Sequence, residues 1–116
     1  MGRNREKRMV DRQYLVFYLR LFDGLSSKVL GHLVDFSTKG LMMISDEPIE
    51  VNEDYRLRMC LPAQLKERRD IIFTATSRWC QKDNNPDFYL SGFRLHALDE
   101  KTERIIIHLL KEFSYP

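Results

Sequence analysis

A small, mainly β domain is predicted from three features of this 116-residue chain. Short apolar runs alternate with period two, turn-forming clusters separate them at regular intervals, and one amphipathic segment closes the sequence. Six short strands followed by a single helix imply a six-stranded antiparallel barrel. Residues 13–116 hold this barrel and its C-terminal helix, and residues 1–12 form a polar basic arm ahead of it.

In the first strand, Gln13 to Phe22, Leu15, Phe17, Leu19 and Leu21 face one side while Tyr14, Val16, Tyr18 and Arg20 face the other. Strict alternation of that kind marks a strand with one buried face. Asp23-Gly24 turns the chain. Lys28 to Phe36 is the hairpin partner, with Gly31 as a bulge or close-approach point. The stretch Asp35-Phe36-Ser37-Thr38-Lys39-Gly40 then makes a tight connection into Gly40–Ile44. Asp and Ser side chains fold onto nearby amides, and glycine offers a positive φ where the chain reverses.

Pro48 breaks the third strand, because proline cannot donate to a central ladder. Tyr55, Leu57, Met59 and Leu61 alternate with polar residues as a fourth strand, and Gln64 to Arg69 is a charged loop or single helical turn. Ile71 to Trp79 is the fifth strand, 82–87 a polar loop, and Phe88 to His96 the sixth, with Gly92 marking a bulge or tight corner. Asp99 is placed to N-cap a helix over about 99–113, with Glu100 and Glu103 in its first turn. Ile106, Leu109, Leu110 and Phe113 share one face of it.

Nineteen basic against 17 acidic residues leave a net charge of +2, too balanced for a general nucleic-acid coat. The excess sits in the arm, where Arg3, Arg5, Lys7, Arg8 and Arg12 face only Glu6 and Asp11. No apolar run reaches the roughly 18 residues of a membrane span, and no signal-peptide pattern opens the chain. A cytoplasmic location is expected. Cys60 and Cys80 have neither redox nor metal-ligand spacing, and His32, His96 and His108 are scattered. Neither a metal nor an enzymatic constellation is expected.

Arg8-Met9-Val10-Asp11-Arg12 sets two guanidiniums four residues apart, about one hairpin ahead of Asp35-x-Ser37-x-x-Gly40. Each half is weak alone, but their order and spacing resemble the PilZ domain family of bacterial cyclic di-GMP receptors. Arg78-Trp79-Cys80, Ser91-Gly92-Phe93-Arg94-Leu95 and the final helix extend the resemblance over nearly the whole chain. It implies ligand contacts at Arg8, Arg12, Asp35, Ser37 and Gly40. Lys7 stands at a position tied in the family to how many ligand molecules bind, where many members carry arginine. Trp79 corresponds to an aromatic that lies against a guanine in some members; a core or barrel-rim aromatic is the structural alternative. Arg78, on the opposite parity, is expected in solvent.

The chemistry suits these residue types. The arginine fork pairs with phosphate oxygens and with the O6/N7 edge of guanine, and its flat face stacks on a base. Asp35 can accept from guanine N1–H and N2–H₂, and Ser37 can bond a phosphate or a base edge. An adaptor follows, in which the ligand orders the arm and an unidentified downstream protein reads the new surface. Two alternatives remain: a PilZ-like interaction module that works without ligand, and a nucleic-acid-binding small barrel.

Overall fold

In the computed structural model, residues 19–63, 65 and 69–113 are described. Six strands follow in sequence: β1 (Arg20–Asp23), β2 (Val29–Phe36), β3 (Gly40–Ser45), β4 (Asp54–Cys60), β5 (Asp70–Lys82) and β6 (Tyr89–Leu95). They close into an antiparallel barrel in the order β1-β2-β3-β6-β5-β4, with β1 returning to β4. One helix, α1 (Glu100–Phe113), follows. The expected architecture is the one observed. The first expected strand is described only from Leu19 onward, and the arm with Lys7, Arg8 and Arg12 lies outside the described residues.

Alternation puts the apolar face of each strand inside. Leu21, Leu33, Met43, Leu57, Met59 and Ile71 are all at most 1% exposed. Phe36 stacks on Phe73 at 5.9 Å, and Tyr55 meets Phe93 edge-on at 5.8 Å. Ile105, Ile106 and Leu109 join the same cluster from α1, so the helix seals the barrel core rather than standing apart. Each buried Leu or Ile contributes about 1.5–3 kcal/mol. Asp99 caps the helix as expected: its Oδ1 accepts from the Thr102 amide at 2.7 Å. Exposed Ile107 lies off the buried face.

Two local devices shape the ends of the barrel. At the β1–β2 turn, Gly24 takes a φ of 56°, and its amide donates to the Arg56 carbonyl at 2.7 Å. Arg58 on β4 reaches across this turn. Its Nε donates to Gly24 O and its Nη2 to Ser26 O, both at 3.0 Å, and its guanidinium lies 4.4 Å from the Phe22 ring centroid. At the opposite end of the hairpin formed by β2 and β3, the chain enters the described structure at Leu19. The Leu19 carbonyl accepts from the Leu33 amide at 2.8 Å, two residues from Asp35.

Three ladders carry register shifts: β1–β2 between Leu21 and Phe22, β2–β3 between Leu33 and Asp35, and β5–β6 between Ser77 and Trp79. Gly31 meets its expectation as a close-approach point, lying under the Met43 side chain and the Ile44 carbonyl. The third shift matters most for function.

Candidate functional site

The turn from β2 to β3 is built by one serine. Ser37 Oγ accepts from the Lys39 and Gly40 amides, each at 3.1 Å, and donates to the Gly40 carbonyl at 3.3 Å. The Ser37 amide donates to the same carbonyl at 2.9 Å. A hydroxyl that satisfies two amides fixes a short loop without help from the rest of the fold. Its one bond free to be given up is the long donation to Gly40.

Gly40 requires a correction. Its φ is not positive; among the described glycines only Gly24 has that conformation. Glycine is needed here for space, because a Cβ at Gly40 would sit 2.7 Å from the Phe93 carbonyl oxygen on neighbouring β6. Pairing Gly40 with Arg94 draws β6 against the turn.

Beside this turn lies a cavity of about 500 Å³. Asp35, Ser37, Gly40 and Trp79 all line it, so the structure brings together four residues that the sequence separates by up to 44 positions. Asp35 is buried at the end of β2, only 6% exposed. Lys39, Arg78 and Arg94 also line the cavity, setting three cations against one carboxylate. Anions are drawn to such a cavity, and guanidiniums can bind them in two-pronged fashion.

Arg78 is exposed, as expected, but it also borders the cavity, which its parity does not foretell. On β5 the alternation runs Ile71, Phe73, Ala75, Ser77 inward, which would send Trp79 into the barrel and Arg78 out. The ladder to β6 breaks this parity: Ser77 pairs with Phe93 but Trp79 pairs with Gly92, leaving Arg78 as an extra residue. Both consecutive side chains therefore border the cavity, and β5 continues to Lys82 rather than ending at Trp79. Trp79 is 38% exposed, so it is not a core residue. Its indole lies across Gly92, where an added Cβ would collide with Nε1 and Cε2. Gly92 is thus the seat on which the flat ring rests.

Lys39, Arg78 and Arg94 were not among the ligand contacts expected from the sequence. Lys39 stands inside the turn motif and could have been flagged there; the other two depend on strand pairing and a bulge.

The comparisons agree with this architecture. The family model described as PilZ domain matches residues 3–112. The chain belongs to the PilZ domain family. The PilZ barrel is also found in two solved structures. MrkH of Klebsiella pneumoniae in its apo state superposes with a TM-score of 0.70 at 11% identity, covering 88% of this chain and 49% of that one. The Bacillus subtilis inhibitor of motility, MotI/DgrA, gives a TM-score of 0.59 at 17% identity, covering 87% of this chain and 52% of that one. The PilZ chain here thus spans about half the length of these two proteins, and at such identities the likeness concerns the fold. No curated protein matches it. No helix among the described residues of this PilZ chain is long and apolar enough to cross a membrane.

Proposed function

We propose that this PilZ domain is a bacterial receptor for cyclic di-GMP and acts as an adaptor in the cytoplasm. The observation that carries the reading is the cavity at the Ser37–Gly40 turn, where Asp35 and Trp79 meet three cations. Each part answers a part of the ligand. Asp35 accepts from the guanine N1–H and N2–H₂ edge, and the exposed face of Trp79 stacks on the base, worth about 1–3 kcal/mol. The two phosphodiester charges are matched by Arg78, Arg94 and Lys39 from the barrel and by Arg8 and Arg12 from the arm.

Gly40 admits the close approach of backbone, and Ser37 acts by holding the turn, with its hydroxyl proton available to a ligand oxygen. Lys7 supplies charge without the guanidinium fork, so it bears on how many ligands assemble. Leu19 enters the barrel beside Leu33, two residues from Asp35 on the cavity wall, and the arm with Arg8 and Arg12 precedes it in the chain. Ordering of residues 1–12 over the bound ligand is the switch, and a partner protein reads the result. Such ordering costs on the order of 1–2 kcal/mol per residue fixed, which only charge-assisted contacts offset.

Calorimetric titration tests the reading, with GMP and cyclic di-AMP as controls. The expected result is guanine-selective binding that Arg8→Ala weakens roughly ten- to hundredfold, the worth of one two-pronged arginine–guanine pair. No heat from folded protein at high ligand concentration would overturn it.

A further inference from the structure

A second cavity lies at the opposite end of the β2–β3 hairpin. It measures about 690 Å³ and is bounded by the start of β2, the end of β3 and the segment that follows. Its charge is opposite to that of the turn cavity. Asp23, Asp46, Glu47 and Glu50 line it, and Lys28 is the one lysine or arginine there. All four carboxylates are exposed, in a chain whose net charge is +2.

Its walls are not only charged. Val29, 42% exposed, and partly buried Phe88 form apolar wall surface. The neighbouring Asp23–Lys28 turn holds Leu25 outward at 84% exposure. That turn is fixed by the Arg58 clamp on Gly24 and Ser26, so Leu25 is presented on a braced loop. An apolar side chain held out on a rigid support loses little conformational freedom on contact, which is the condition for an anchor residue.

From these features we infer that the groove docks a partner protein through a segment in which apolar side chains alternate with lysine or arginine. The acidic rim selects basic segments and speeds their encounter. The apolar walls, with Leu25 beside them, supply the water-excluding contact that charge alone lacks. The groove and the turn cavity share no lining residue, and on β2 their nearest lining residues, His32 and Asp35, stand three positions and on the order of 10 Å apart. A partner can therefore occupy it while the turn cavity is filled. The inference rests on the adaptor reading for the existence of a partner and on none of the ligand chemistry.

The test uses the full chain and a ten-residue synthetic peptide of alternating leucine and lysine pairs. Two control peptides replace every lysine by glutamate, or every leucine by serine. Fluorescence anisotropy gives affinities, and amide chemical shifts locate the contact. The expected result is binding of the lysine–leucine peptide alone, with shifts at Val29, Glu47, Glu50 and Phe88. Glu47→Lys with Glu50→Lys, both exposed positions that the fold tolerates, should weaken it at least tenfold. No binding, equal binding of either control peptide or of the variant, or shifts outside the groove would overturn the inference. Titrating cyclic di-GMP into the unsubstituted chain keeps the two readings apart. Retained ligand binding with no peptide binding removes only the docking surface, and the reverse removes only the receptor.

Discussion

The two ends of the β2–β3 hairpin are made from the same strands yet solve different problems. At the turn end, Ser37 satisfies its own loop, a bulge pushes Arg78 and Trp79 to the surface, and three cations gather around a buried aspartate. At the groove end the only bulge-borne irregularity lies between Leu21 and Phe22, and Arg58 is spent on bracing a turn beneath four carboxylates. An arginine at the first end faces a cavity; an arginine at the second is consumed by the fold. Residue type does not distinguish them. What distinguishes them is whether the guanidinium's donors already have partners.

Substitutions at matched positions would break or sharpen this contrast. The largest effect is expected for Arg58→Ala, which removes two hydrogen bonds to carbonyls, the 3.4 Å contact with Asp70 and the stacking on Phe22. Urea denaturation should show a loss of about 2–4 kcal/mol, with cyclic di-GMP affinity unchanged in the folded protein. Gly92→Ala should do the reverse. Its new Cβ displaces the Trp79 indole, which is exposed enough to swing away, so stability changes little. Ligand affinity should fall by about 1–3 kcal/mol, and Trp79 fluorescence should shift to the red.

Arg78→Ala comes next. An affinity loss of about 1 kcal/mol, roughly fivefold, is expected with an unaltered urea midpoint. If Arg78→Ala unfolded the protein instead, its donors would be structural and the contrast would fail. The smallest effect concerns Tyr55 at the groove. Burial raises its pKa above 10.0, with nearby Glu50, Glu53 and Asp23 adding to the shift and a bond to the Glu50 backbone opposing it. The neutral phenol is therefore favoured in the folded state. Its stabilisation is fully present below pH 10.0 and is lost as pH rises through the folded pKa. An absorbance titration should show a late-ionising component that Tyr55→Phe removes.

Most of the fold was legible in the sequence because strand alternation and turn chemistry are local. Asp23-Gly24 ends β1 where its turn chemistry says it should, and β3 stops at Ser45, just ahead of Pro48. The Asp35–Gly40 turn was legible for the same reason, though Gly40 is required by the Phe93 carbonyl rather than by φ. The exposure of Arg78 was legible, but its place beside Trp79 at the cavity was not, because a bulge is written in no local pattern: parity through Ser77 simply continues on paper. Only Gly92, on another strand, hints that a ring needs room there. The recruitment of Arg94 depends on its pairing with Gly40, a contact across 54 residues that alternation within one strand cannot reveal. The groove was missed altogether, because Asp23 and the 46–50 segment meet only when the barrel closes.

Amide chemical-shift mapping on addition of cyclic di-GMP tests the division of labour most directly. The account predicts shifts at Asp35–Gly40, at Arg78 and Trp79, and at Gly92–Arg94, together with residues 8–12. Val29, Glu47, Glu50 and Phe88 should stay in place. Shifts centred on those groove residues, or none at the turn at saturating ligand, would contradict it.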